Sequence, residues 1–139
     1  MKLYLTGSLR NPRIPQIGNR LRKAGHDVFD DYYAAGRMAD TAWRRYEQGR
    51  GHNLAQALKG YAAQHVLAFD VRHLSQAQAV ILVLPCGRSG HLELGWALGQ
   101  GKRGYVLLDA DPGRYDVMYG LATGVFYHIV DLLNVLSCC

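Results

Sequence analysis

The sequence is poor in the residues that build metal and disulfide proteins. Only three of its 139 residues are cysteine, Cys86, Cys138 and Cys139, and two of these are adjacent. Their spacing contains no C-x-x-C pair and no disulfide ladder, so reduced thiols are expected. No two histidines stand at helical metal-ligand spacing, and neither a metal nor a cofactor is expected. The chain has no apolar run long enough to cross a bilayer and no leader pattern after Met1, so a soluble, cytoplasmic protein without a membrane partner is expected. Its basic residues outnumber the acidic ones, with a formal charge of +5, but they are scattered. That distribution suits attraction of a small anionic ligand and argues against a nucleic-acid polymer as partner.

Several loop motifs are also missing. The turn after the first apolar segment has neither the GxGxxG spacing of a dinucleotide loop nor the GxxxxGK[ST] of a P-loop. His91-Leu92-Glu93 contains the H-x-E of zinc deaminases without the later P-C-x-x-C. Gly87-Arg88-Ser89-Gly90-His91 follows an apolar run as a nucleophile elbow would, but has histidine where G-x-S-x-G requires glycine.

What is present centres on residues 85–102. They follow the apolar run 79–84, which reads as a buried parallel strand, and the spacing predicts a helix from about Ser89 or Gly90 to about Gly101. Glu93 is then expected in the first helical turn, at the carboxyl edge of the sheet where open α/β folds bind ligands. It reads either as a capping glutamate three residues after Gly90 or as a functional carboxylate. Gly95 and Gly99, each costing a helix about 1 kcal/mol against alanine, suggest a close approach of this helix to the sheet.

A hydrophobic content of 49% is ample for one core, and 139 residues suit one domain. Residues 2–7, 26–29, 79–84, 104–108 and 125–128 read as strands. Residues 14–24, 66–78, 116–122 and 130–136 read as helices between or after them. Strands joined by helical crossovers imply a parallel α/β sheet, most simply of order 2-1-3-4-5, a Rossmann-like (flavodoxin-like) sandwich. Residues 34–65 exceed a plain crossover. They read as a loop followed by helices at 41–48 and 54–65, and with Tyr32, Tyr33, Trp43, Tyr46 and Tyr61 they could wall a flat ring or simply pack. The candidate chemistry that survives is carboxylate chemistry, from Glu93, Asp70 and the Asp30-Asp31 pair.

At this level of detail the residues resemble a known family. Tyr4-Leu5-Thr6-Gly7-Ser8-Leu9-Arg10-Asn11, Asp70 ahead of Leu74 and Ala77, Gly90-His91-Leu92-Glu93-Leu94-Gly95-Trp96-Ala97 and Gly101-Lys102 look like the nucleoside 2-deoxyribosyltransferases, a family that includes nucleotide N-glycosidases. The resemblance spans the chain apart from the insertion at 34–65, and its most specific part is E-L-G-x-A. It implies Glu93 as nucleophile, Asp70 as assistant to the departing base and Tyr4 beside the nucleophile. It places Gly7, Ser8, Arg10, Asn11, Asp31, Arg88, Ser89 and Gly90 around the substrate. It also implies a homodimer or larger homo-oligomer, in which Asp116, just ahead of Met118, reaches a neighbour's site.

The implied reaction is cleavage of the N-glycosidic bond of a (2-deoxy)nucleoside through a glycosyl-Glu93 intermediate, with transfer to a free base or to water. A carboxylate at Asp116 would favour a free 5′-OH, whereas the guanidinium of Arg88 suits a phosphate. A nucleoside 5′-monophosphate N-glycosidase, a dinucleotide glycosidase and a non-catalytic nucleotide-binding module remain alternatives.

Overall fold

The computed structural model describes residues 1–139. Five parallel strands form one sheet: β1 (Lys2–Thr6), β2 (Asp27–Phe29), β3 (Ala79–Val83), β4 (Arg103–Leu107) and β5 (Gly124–Phe126). Their spatial order is β2-β1-β3-β4-β5, as the crossover argument expected. The register pairs Tyr4 with Val80 and Thr6 with Leu82, and Ile81 with Tyr105. β3 is buried along its whole length, which is why it reads as an unbroken apolar run.

Strand parity divides the core into two layers. Leu3, Leu5, Ile81 and Val83 face one side, where they meet Ile14, Ile17 and Leu21 of α1 (Arg13–Lys23) and Leu132 and Leu136 of α6 (Ile129–Ser137). Tyr4, Val80, Leu82 and Val106 face the other, against Leu74 of α4 (Tyr61–Gln76), Ala77 just beyond its end, and Leu94 and Ala97 of α5 (Arg88–Gly99). The period of two in β1 therefore sends Tyr4 and Thr6 together towards α5.

The insertion departs from its expected outline. A 3₁₀ turn spans Asp31–Ala35, and α2 (Ala39–Gly49) and the one-turn α3 (Leu54–Ala57) follow. Asn53 caps α3 in a reciprocal box with Gln56. The chain breaks at Gly60 before α4 begins, so the continuous helical reading across 54–78 is two helices. Glu47 is buried at 2% exposure and is held by His52 at 2.6 Å, which ties the end of α2 to the turn after it.

Two expectations about α5 are corrected. The helix starts at Arg88 with Gly87 as its N-cap residue, so Glu93 lies in the second turn and is not a capping glutamate after Gly90. Gly95 and Gly99 are exposed, and a Cβ on either would meet nothing within 4 Å. The close approach occurs at Gly90 instead. A Cβ there would run into the Cys86 thiol and lie 2.9 Å from Leu82 Cδ1 and 3.1 Å from Thr6 Oγ1.

Candidate active site

Glu93 sits one turn beyond Gly90 on the face of α5 turned to the carboxyl ends of β1 and β3. The Thr6 hydroxyl donates to its Oε1 at 3.1 Å. Its Oε2 is buried and has no hydrogen-bond partner. Burial raises the Glu93 pKa above the ordinary carboxylate value. The Tyr4 and Thr6 hydroxyls work against that rise, and the charge of Asp70 adds to it. A half-satisfied buried carboxylate is costly in a folded protein.

Asp70 reaches this pocket through helix periodicity. Asp70 and Leu74 share one stripe of α4, and Leu74, with Ala77 just past the helix end, is buried against the sheet. The crossover helix runs back against the strands, so Asp70, upstream of Leu74, lies nearer their carboxyl ends. Its Oδ1 is buried and unpaired. Burial raises its pKa, opposed by nearby His73. The His73 ring in turn stacks on Phe29, with centroids 4.1 Å apart.

Tyr4 is buried at 1% exposure, and its phenol pKa is raised first by burial and then by Glu93, with a further contribution from Asp70. Three predicted residues, Glu93, Asp70 and Tyr4, thus come together. Three more residues adjoin them: Thr6 and Cys86, which the sequence reading did not single out, and Tyr32, which it named among the aromatics. Thr6 orients the carboxylate. Tyr32, in the 3₁₀ turn after β2, lies alongside Tyr4 with ring centroids 6.5 Å apart. The half-buried Cys86 thiol has its pKa raised by burial, against the Gly90 and Gly87 amides that face it. Thr6 was legible in principle, because it shares Tyr4's strand parity.

The predicted binding residues are spread more widely. In the first loop, Gly7 leaves no room for a Cβ against Ile14. The Ser8 hydroxyl accepts from the Arg10 amide at 3.1 Å, and Asn11 Oδ1 accepts from the Arg13 amide at 3.0 Å. Those oxygens hold the loop, whereas Asn11 Nδ2 is buried without a partner. Arg10, Arg88 and Ser89 are exposed, and Gly90 is buried. Asp116 accepts from the Met118 amide at 2.9 Å and caps the 3₁₀ turn Val117–Leu121, so within one chain its carboxylate serves the turn. Met118 is 60% exposed. The turn is tied to α5 by His91, whose Nδ1 faces the Gly87 carbonyl at 2.7 Å and whose Nε2 faces the Tyr119 hydroxyl at 2.9 Å. Because a carbonyl only accepts, Nδ1 carries the proton.

The Asp30-Asp31 pair does not join Glu93 as a reactive carboxylate pair. Asp30 is ion-paired with Arg22 of α1, and Asp31 is exposed at the β2 edge, lining a shallow groove with Lys2, His73 and Gln76. Of the aromatics that could wall a ring or simply pack, Tyr32 lies beside Tyr4 at the pocket. Tyr33 packs with the α1/α6 layer, while Tyr46 and Tyr61 are exposed.

A cleft of about 490 Å³ adjoins the pocket through Cys86 and Tyr119. It lies between the segments that follow β3 and β4, with Arg13, Asp109 and Arg114 on its walls. Arg13 bridges the two sides by pairing with Asp109 at 2.5 Å and donating to the Leu84 carbonyl at 3.3 Å.

No protein-family model and no curated protein matches the sequence. Solved structures do match in shape. One is the 2-deoxyribosyltransferase from the psychrotolerant bacterium Bacillus psychrosaccharolyticus, at TM-score 0.65 and 17% identity, covering 96% of this chain and 91% of that one. Another is the CMP N-glycosidase of Clostridium botulinum, at TM-score 0.59 and 15% identity, covering 99% of both chains. The five-stranded sheet and its flanking helices are therefore the fold on which a deoxyribosyltransferase and a nucleotide N-glycosidase are both built.

Proposed function

We propose that this protein is an enzyme of the nucleoside 2-deoxyribosyltransferase and N-glycosidase class, cleaving the N-glycosidic bond of a nucleoside or nucleotide. The observation that carries the reading is the buried Oε2 of Glu93, unpaired while Thr6 holds Oε1. A nucleophile needs one free oxygen in a fixed direction, and a structural carboxylate would have both occupied.

In the proposed reaction Glu93 Oε2 attacks C1′ as the bond to the base nitrogen breaks, and the bonding electrons leave with the base. Asp70, its pKa raised by burial, supplies a proton to the departing ring. Tyr4 and Thr6 stabilise the ionised carboxylate before attack. The glycosyl-Glu93 ester then yields to a second base, or to water deprotonated as it adds, so that configuration at C1′ is retained overall. No metal or cofactor enters these steps.

The activities of the two structural neighbours support both outcomes, transfer and hydrolysis. A free 5′-OH remains the favoured substrate end if Asp116 of a second copy meets it, and Arg88 would serve a 5′-phosphate. Assembly of copies is supported by exposed apolar residues on α4 and α5, among them Val66, Leu67, Leu92 and Trp96.

The test is incubation of the purified protein with deoxyinosine and free adenine, followed by chromatography, with Glu93→Ala alongside. Deoxyadenosine formed by the wild type alone supports transfer, and hypoxanthine release alone supports hydrolysis. If nucleosides, their monophosphates and NAD all stay intact, the enzymatic reading falls and a binding role replaces it. A Glu93→Ala protein with full activity removes the proposed nucleophile.

A further inference from the structure

The cleft of about 490 Å³ has no role in the steps above. Its volume falls among pockets that hold a whole small molecule, roughly 300–1,000 Å³. One phosphate group would leave most of it empty. Leu84, Pro85, Leu108, Ala110 and Pro112 give it an apolar lining, and Tyr119 an aromatic wall. Polar links hold these walls in place. Arg13 joins the two sides through Asp109 and the Leu84 carbonyl. Asp109 makes its half of that bridge from a left-handed backbone, with φ of 120°, a strained state for a non-glycine residue and one that clusters at ligand clamps. Asp111 accepts from the Tyr115 and Tyr127 hydroxyls at 2.6 and 2.5 Å. The Tyr119 hydroxyl faces His91 Nε2 at 2.9 Å, two residues before Glu93 on α5. Both aspartates are therefore occupied. Arg114 enters no ion pair and is the free charge of the lining.

The strand order sets the direction of the cleft from the nucleophile. Thr6, at the end of β1, holds Glu93 Oε1 at 3.1 Å. On the β2 side, Phe29 contacts Phe69 and His73 of α4, with ring centroids at 5.6 and 4.1 Å, and Asp70 follows Phe69 on that helix. The cleft opens on the other side, past the ends of β3 and β4. Neighbouring strands are about 4.8 Å apart, so it begins only one or two strand spacings from Thr6. A nucleoside with C1′ at Glu93 and its base at Asp70 points its base towards β2. The far edge of its sugar, where C4′ carries the 5′ arm, then points towards β3 and β4. Arg88, which would serve a 5′-phosphate, follows the Pro85–Cys86 wall of the cleft by two residues.

We propose that this cleft is a subsite for a group joined to the substrate's 5′-phosphate, and that the substrate is a dinucleotide whose two nucleosides are linked by pyrophosphate. The inference rests on the glycosidic reading of the Glu93 site and takes its Arg88 branch, a phosphorylated 5′ end. Glu93 acts on one nucleoside. Arg114 pairs with the bridging phosphates, and the second nucleoside fills the apolar remainder, with Tyr119 against its ring. A bare di- or triphosphate fits less well, because its added charge would meet an apolar lining with one free cation.

The test measures base release from nucleoside 5′-monophosphates, ribo and 2′-deoxy, each paired with the symmetrical dinucleoside pyrophosphate of the same nucleoside, and from nicotinamide mononucleotide paired with NAD. The wild type is expected to favour the dinucleotide of a pair by about tenfold or more in kcat/KM. Two variants at exposed positions probe the cleft: Arg114→Ala removes the charge and Ala110→Trp fills the space. Each should lose about that factor on the dinucleotide and far less on the monophosphate, and melting temperatures check the fold. A wild type without preference for the dinucleotide, or variants that leave the ratio unchanged, overturns the inference while the glycosidic reading stands. If the wild type cleaves nothing, the glycosidic reading fails, and calorimetric titration with the same pairs decides the inference. Tighter binding of the dinucleotide that both variants abolish sustains the subsite, and equal or absent binding overturns it.

Discussion

Replacing Glu93 by glutamine should stabilise the protein while removing its proposed activity, and the stabilisation should depend on pH. In the folded state burial raises the Glu93 pKa above its ordinary value of 4.5, with Asp70 adding to the rise and Tyr4 and Thr6 opposing it. A carboxyl with a raised folded pKa binds its proton more tightly folded than unfolded. Stability therefore falls as pH climbs from the ordinary value through the raised one, and the full deficit is present above that window. Glutamine is nearly the same shape and does not ionise, and its carbonyl can still accept from Thr6. At neutral pH the variant should gain on the order of 1–3 kcal/mol, the usual scale for an incompletely paired buried polar group. For a chain of this size that is roughly 3–5 °C in Tm per kcal/mol. Below about pH 4 both proteins carry a neutral side chain and the gain should vanish. Thermal melts at the two pH values measure it, and base release measures the accompanying loss, expected at about 10³-fold or more. A variant that melts below wild type at neutral pH would refute the reasoning, because that is the signature of a carboxylate placed for stability.

Other substitutions separate the parts of the site. Thr6→Val removes the hydroxyl on Oε1 while keeping its volume. Activity should fall about tenfold, and the acid limb of the rate profile should move to higher pH because a brake on the Glu93 pKa is lost. Asp70→Asn should flatten the alkaline limb and slow the least activated leaving bases most; an unchanged profile would remove Asp70 from proton transfer. Gly90→Ala forces a methyl group between Cys86, Leu82 and Thr6 and should destabilise by about 1–3 kcal/mol, lowering activity as α5 shifts. Gly95→Ala, in open space on the same helix, should instead stabilise by up to about 1 kcal/mol, and equal melting shifts for the two glycines would contradict the packing described for α5.

The sheet was legible because its signals are local. An unbroken apolar run marks β3, a short apolar run ending in a glycine turn marks β1, and turn residues separate strands from crossover helices, so the order 2-1-3-4-5 follows from handedness and short connections. Glu93 and Asp70 were legible for a similar reason: each lies on a helix entering or leaving the central strand. The boundary at 58–60 was missed because apolar residues continue through it, and helix propensity did not register Gly60 as the start of a new helix. Which of the aromatics at 32–61 wall a pocket and which simply pack or stay exposed was not legible, since composition does not say which way a side chain points.

By itself the sequence determined the layers of the fold, the parity that sends Tyr4 and Thr6 to one face, and the carboxylates placed at the sheet's edge. Only the tertiary structure decided which groups share a pocket. It withdrew Asp30 into an ion pair with Arg22, left Asp31 in solvent and moved the tight glycine from 95 and 99 to 90. It also brought Tyr32 beside Tyr4. The physical reason is that hydrogen bonding, desolvation and steric exclusion act across distances of a few ångströms. Residues far apart along the chain come within that range only after the strands have paired and α4 and α5 have packed on the sheet.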